Sequence, residues 1–168
     1  MQGQSGCGMN FTYSPIGIIH SPYKDISGMP IQPNGARGVR GTIAIFPEYR
    51  DGLRDLDGFS RIILIFAFHR SSDYALVVNP FLDTTPRGVF ATRAPKRPNA
   101  IGLSIVRLTG IHEGTLDIED VDMLDGTPLL DIKPYVPAFD AYPDAATGWL
   151  APVIQDAESF RSDGRFRS

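Results

Sequence analysis

Eight runs of β-branched and aromatic residues fall at 16–20, 41–46, 61–69, 74–78, 88–92, 101–111, 115–123 and 128–135. Between them lie turn-forming stretches drawn from 17 glycines and 14 prolines. No stretch carries a long 3.6-residue period. "TLDIEDVD" (115–122) alternates apolar and polar residues, as a half-exposed strand does. Many short strands broken by Gly and Pro imply an all-β barrel or sandwich. Barrel closure removes the unpaired edges that such strands would otherwise expose. The best helical candidate is short, "PEYRDGLRDL" (47–56), with Pro at its start.

A chain of 168 residues suits one domain with a real core. The first eight residues, "MQGQSGCG", read as an expression remnant or an alternative start ahead of Met9. They show no charged and apolar signal-peptide pattern. The barrel is expected over 9–140. Residues 141–168 are expected to form a short, irregular tail lying on the barrel or on a partner chain, with Trp149 packing there. The longest apolar run, "IILIFAF" (62–68), is a core strand and far too short to span a membrane. The single cysteine, Cys7, rules out an intrachain disulfide and fits a reducing, cytoplasmic setting. His20, His69 and His112 have no metal-ligand spacing, so no metal site is expected. Walker and dinucleotide-binding glycine motifs are absent. "FHRSSDY" places serines near His69, but nearness in sequence is not triad geometry.

Charge is unevenly placed. From Thr84 to His112 the chain carries Arg87, Arg93, Lys96, Arg97 and Arg107 and no acid; from Glu113 to Asp144 it carries nine acids and one cation, Lys133. A mildly acidic chain with one basic segment suggests a local anion site. That segment is "RGVFATRAPKRPNAIGLS" (87–104). Pro95 and Pro98 restrict their own φ and push Ala94 and Arg97 away from helix. "RAPKRPN" is therefore expected to be a stiff, extended excursion between two strands. Guanidinium groups on a stiff backbone lose little entropy in gripping an anion. The plain alternative is a solvated, basic hairpin tip. A second cluster, "DMLDGTPLLDIKPY" (122–135), reads as a turn set by Asp125 and Gly126 and capped by Thr127. Asp122, Asp125, Asp131 and Lys133 surround it. It is either an acidic surface turn or a cradle for a polar ligand such as a nucleoside. "GMPIQP" (28–33) alone reads as a loop.

Together, "RGVFATRAPKRPNAIGLS", "LDGTPLLDIKPY", the early "PIGIIHSPY" and "GMPIQP" resemble the TsaA-like family, also called TrmO or YaeB. The likeness runs from about Tyr13 to Asp140 in the family's own order. It implies a single-sheeted antiparallel β-barrel with long loops, paired as a homodimer. The implied activity is S-adenosyl-L-methionine-dependent methylation of N6 of threonylcarbamoyl-adenosine in the anticodon loop of threonine tRNA. Carried over by motif, the cofactor would meet Pro30, Ile31, Gln32, His69, Arg70, Arg93, Leu103, Asp125, Gly126, Thr127 and Pro128. Lys96, Arg97, Asn99, Lys133 and Tyr135 would face the RNA. Asp125, Asp131 or His69 would take the proton lost from N6. Ala94, Lys96 and the "FHR" tripeptide depart from the family's usual residues, and the extra C-terminal domain of some bacterial members is expected to be missing. A non-catalytic RNA- or nucleotide-binding barrel is the competing class, and a purely structural dimeric barrel the third.

Overall fold

The computed structural model describes residues 10–153 and 161–162. The expected expression remnant or alternative start at 1–8 and most of the tail beyond residue 153 lie outside the described residues. Six strands close an antiparallel barrel: β1 (Gly17–His20), β2 (Arg40–Ile45), β3 (Arg61–Ala67), β6 (Ile101–His112), β7 (Thr115–Glu119) and β8 (Thr127–Pro134). Their order around the barrel is β1-β2-β7-β6-β3-β8. β4 (Val77–Val78) and β5 (Arg87–Gly88) form a separate two-stranded ribbon.

The barrel arises from period-two burial. Along β3, Ile62, Leu64 and Phe66 point inward while their neighbours are half-exposed. β7 does the same with Leu116 and Ile118, β2 with Ile43 and Ile45, and β6 with Val106 and Leu108. One residue's slip would turn each set to solvent, so this alternation fixes register. The β6–β7 hairpin closes through Glu113 and Gly114, with φ of 52° and 87°. Both are left-handed, the requirement of the tight turn that matches strand twist. At β3–β8 the register shifts between Ile65 and Phe66, leaving Leu130 as the extra residue of a bulge. The bulge lies where β3 approaches the open end of the barrel.

Three expectations are corrected. Residues 47–56 form no α-helix but 3-10 turns at Pro47–Leu53 and Leu56–Gly58, separated by Arg54 and by Asp55 at φ 63°. So short a piece gains too few bonds to offset helix nucleation, and it is held instead by Leu53 and Leu56 packing on the core. The 74–78 and 88–92 runs meet only where Val77 and Val78 pair with Gly88 and Arg87, so the second run adds one residue to the ladder, and Val89–Ala91 is a 3-10 turn. The next pair of the ladder would set Asn79 against Pro86, which has no N–H to donate. "RAPKRPN" therefore does not join two barrel strands. It leaves a turn and returns to β6, packed along the 71–75 segment: Ser71 Oγ donates to the Pro95 carbonyl at 3.3 Å and Ala75 N–H to the Lys96 carbonyl at 3.2 Å.

The only α-helix among the described residues, α1 (Pro137–Asp140), is a single turn. No described helix is long and apolar enough to cross a membrane. Beyond α1, Trp149 Nε1 donates to the Ala91 carbonyl at 2.8 Å, and its ring lies 5.4 Å from the Arg87 guanidinium. Arg161 and Ser162 pair with the early loop: Gly28 N–H donates to the Ser162 carbonyl and Ser162 N–H to the Met29 carbonyl, both at 2.8 Å.

Candidate cofactor cavity and its rim

A cavity of about 370 Å³ opens where β3 ends and β6 begins. Four distant stretches meet there. The early loop brings Pro30, Ile31 and Gln32; the end of β3 brings His69 and Arg70; the basic excursion brings Arg93; β6 brings Leu103. Thr127 reaches it from the turn, with Thr127 Oγ1 donating to the Leu124 carbonyl at 2.7 Å. Arg93 Nη1 donates to Gln32 Oε1 at 3.0 Å, joining segments 61 residues apart. The floor is apolar. Phe66 and Phe68 meet edge to face with centroids 5.4 Å apart, and Met123 is buried beside them. Gly102 permits that floor, since a Cβ there would lie 2.3 Å from the Phe66 ring.

Most of the other sequence-predicted residues sit elsewhere. Asp125, Gly126 and Pro128 do not line the cavity. Asp125 faces a separate, shallower cleft, where it pairs with Lys24 at 2.6 Å and His20 at 3.4 Å and accepts the Ser21 N–H at 3.1 Å. The Lys24 bond first, then the Ser21 N–H, hold its carboxyl down at about 2. So firmly ionised an acid is a poor proton acceptor. Asp131 pairs with Lys133 at 2.8 Å on the outer face of β8, away from the cavity, as is Tyr135 just beyond that strand. Lys96 is engaged by Asp73 at 3.1 Å, and Asn99 is exposed outside the lining.

Arg97 lines the cavity and turns one terminal nitrogen onto its own loop. Nη1 donates to the carbonyls of Thr92 at 2.9 Å and Val89 at 3.0 Å, and its guanidinium lies 5.8 Å from the Phe90 ring. Through these bonds Arg97 clamps the turn that presents Arg93. His69 remains at the rim. Partial burial, then the Arg70 charge, lower its pKa and favour the neutral imidazole.

Among the lining residues that sequence reasoning missed, three carry polar groups that bear on the site's chemistry. Asp122 reads from sequence as part of the acidic turn, yet its carboxylate accepts a 2.7 Å hydrogen bond from Ser104 Oγ within the cavity wall. Ser104 is the second; it is 2% exposed. Alternation along β6 was the available signal, because it puts Ser104 on the inward face with Val106 and Leu108. Ser162 is the third. Its buried hydroxyl has no hydrogen-bond partner among the described residues, and no local sequence pattern marks it. Among the described residues, no cluster of His, Cys, Asp and Glu could hold a metal.

Comparison with known proteins agrees with this architecture. A Pseudomonas aeruginosa protein whose solved structure is that of TrmO superposes with a TM-score of 0.71 at 43% identity, covering 84% of this chain and 63% of that one. A Pyrococcus abyssi protein described as a probable S-adenosyl-L-methionine-binding protein is 53% identical over 93% of this chain and 85% of its own length. The Escherichia coli K12 tRNA (adenine(37)-N6)-methyltransferase is 36% identical over 92% of this chain and 71% of its own. The tRNA-methyltransferase O N-terminal domain matches residues 18–141, nearly the whole barrel together with α1. With a sequence match across the sheet and identities far above chance over nearly its whole length, this chain belongs to the tRNA-methyltransferase O family.

Proposed function

We propose that this chain uses S-adenosyl-L-methionine to methylate N6 of threonylcarbamoyl-adenosine in the anticodon loop of threonine tRNA. Family membership and the names of its members carry the coarser statement, an S-adenosylmethionine-dependent tRNA (adenine-N6)-methyltransferase. The observation that supports a cofactor site in this chain is the convergence of Gln32, His69, Arg70, Arg93, Leu103 and Thr127 on one cavity.

The residues present fit the cofactor. The volume lies within the roughly 300–1,000 Å³ usual for small-molecule sites. An aromatic floor suits the adenine, and arginines at the rim suit the carboxylate of its methionyl part. When bound, the cofactor supplies an electrophilic methyl group on a sulfonium. The protein's part is placement. Arg93, steadied by Gln32 and by the Arg97-clamped turn, is poised to fork onto a carboxylate. Phe66, Phe68 and Leu103 exclude water from the reacting centre. An anticodon-loop base can be splayed from its stack to enter such a site. Lys96 and Asn99, on the same excursion, remain the candidates for RNA contact. We further propose a homodimer acting in the cytoplasm. Leu76, Val77, Phe90, Ile101 and Leu103 are exposed apolar side chains around the cavity mouth and the adjoining ribbon, a patch suited to a second copy.

Two measurements test this. Labelled S-adenosylmethionine is incubated with threonine tRNA carrying or lacking the threonylcarbamoyl group; label is expected only in the modified tRNA. Calorimetry is run on wild type and Arg93→Ala, with cofactor affinity expected to fall at least tenfold, for one charge-assisted contact of about 1.5–3 kcal/mol. Cofactor binding without transfer to any tRNA would establish the non-catalytic alternative.

A further inference from the structure

Asp122 is the only acid among the described residues of the cavity wall; the other charged side chains there are Arg70, Arg93 and Arg97. It lies between Val121 and Met123, which are 0% and 2% exposed. Asp122 itself is half-buried and lines the cavity, with desolvation the leading influence on its carboxyl. One oxygen, Oδ1, is fixed by Ser104 Oγ at 2.7 Å from β6. Its own backbone N–H also donates to the carboxyl, and Ser104 is the one side chain among the described residues shown to hold it.

We propose that the Asp122 carboxylate, oriented by Ser104, is the proton acceptor for the amino group methylated in this cavity. The inference rests on the methyltransferase reading above. As the N6 lone pair forms the bond to the methyl carbon, the carbon–sulfur bond breaks and its electron pair stays on sulfur. The N6–H proton passes to Asp122 Oδ2, and the N–H bonding pair remains on nitrogen. The products are a methylated nitrogen, a neutral thioether and a carboxylic acid that returns its proton to water. Desolvation is the leading influence on Asp122 and pushes its pKa up to about 6, against the opposing pull of the Ser104 bond and of Arg93. At neutral pH it is mostly ionised yet more basic than an ordinary carboxylate, which is what a general base needs. The other groups facing it are Tyr23 from the β1–β2 connection, with Arg161 beyond it, and His69 and Arg70 across the cavity.

The test combines kinetics with titration. In wild type, kcat at saturating cofactor and tRNA is expected to fall on acidification with an apparent pKa near 6. Asp122→Asn is expected to lose about 10²–10⁴-fold in kcat and to lose that acid limb. Cofactor affinity by calorimetry should fall far less than kcat does. Ser104→Ala removes a bond that favours the anion, so its acid limb, and the carboxyl titration followed by NMR without cofactor, should move to higher pH. Retention of kcat and of the limb in Asp122→Asn overturns the proposal. So does a variant that loses only cofactor affinity while keeping kcat at saturation. If Asp122→Asn does not fold, an unmoved limb and an unmoved NMR titration in Ser104→Ala overturn it equally. A wild type that binds cofactor and methylates no tRNA refutes the underlying reading instead.

Discussion

Asp122→Asn should make the folded chain more stable at pH 8 and much less so at pH 4.5. Burial raises the Asp122 pKa from 3.8 to about 6, so the folded state holds its proton more tightly than the unfolded state does. Between those two values the folded chain binds more protons. Stability therefore falls as pH rises through the window and levels off above it. A difference of that size corresponds to a ceiling of about 3 kcal/mol, at about 1.4 kcal/mol per pH unit. The open face toward the cavity reduces it, because water there solvates the anion. Asparagine carries no charge at either pH and can still accept the Ser104 bond through Oδ1. Its new N–H₂ must find partners, a cost common to both conditions. The pH-dependent part of the difference between the two proteins should thus be about 1–3 kcal/mol, favouring the variant at pH 8.

Urea denaturation of both proteins without cofactor measures this. With a urea m-value of about 1–3 kcal/mol/M, the midpoint of the variant should gain roughly 1 M on wild type between pH 4.5 and pH 8. Other acids with shifted pKa values, Asp83 and Asp125 among them, are present in both chains and cancel. A variant-minus-wild-type difference that is the same at both pH values would refute the reasoning. So would one that grows on acidification. Either result would mean that the carboxyl is as well solvated as one on the surface, which would also remove the basis for its role as a tuned proton acceptor.

Other perturbations have distinct signatures. Arg97→Lys keeps the charge but loses the planar guanidinium whose Nη1 donates to both the Val89 and the Thr92 carbonyl; it should lower thermal stability by about 1–2 kcal/mol and weaken cofactor binding through Arg93, as read by melting and calorimetry. Gly102→Ala drives a Cβ into the Phe66 ring, and an overpacking cost of about 1–3 kcal/mol should appear in urea midpoints, with a changed near-UV spectrum from the two phenylalanines. Asp125→Asn should destabilise the chain at neutral pH. Its pKa is depressed to about 2 by Lys24 and the Ser21 N–H, so the deficit relative to wild type should shrink as pH falls from about 4 toward 2. That variant should retain cofactor affinity, since Asp125 faces the other cleft.

What was legible in the sequence tracks how local its cause is. Ile62, Leu64 and Phe66 announce a strand because the cause, one wet face and one dry one, repeats every two residues. Leu76, Val77 and Phe90 carry the same residue types and mislead, since they are exposed and their pairing is cut short by Pro86, a partner across the turn. Gln32 and Arg93 could be placed at one site only through a resemblance, because the contact that joins them spans 61 residues. Arg97 shows why charge alone does not assign a role. A guanidinium matches backbone carbonyls as well as carboxylates, and "APKRPN" reads the same whether the fork turns outward to an anion or inward to Val89 and Thr92. Asp122 and Asp125 make the sharpest contrast. They are three residues apart in one acidic turn, yet one is desolvated by strands from across the barrel and the other is held ionised by a lysine in an open cleft. The turn itself is legible from "LDGTP"; which of its acids faces the chemistry is decided by Ser104 and Lys24, on two other segments of the chain. Acid–base roles at such a site therefore depend on which neighbours the fold delivers, and the pH dependence of stability reads that delivery directly.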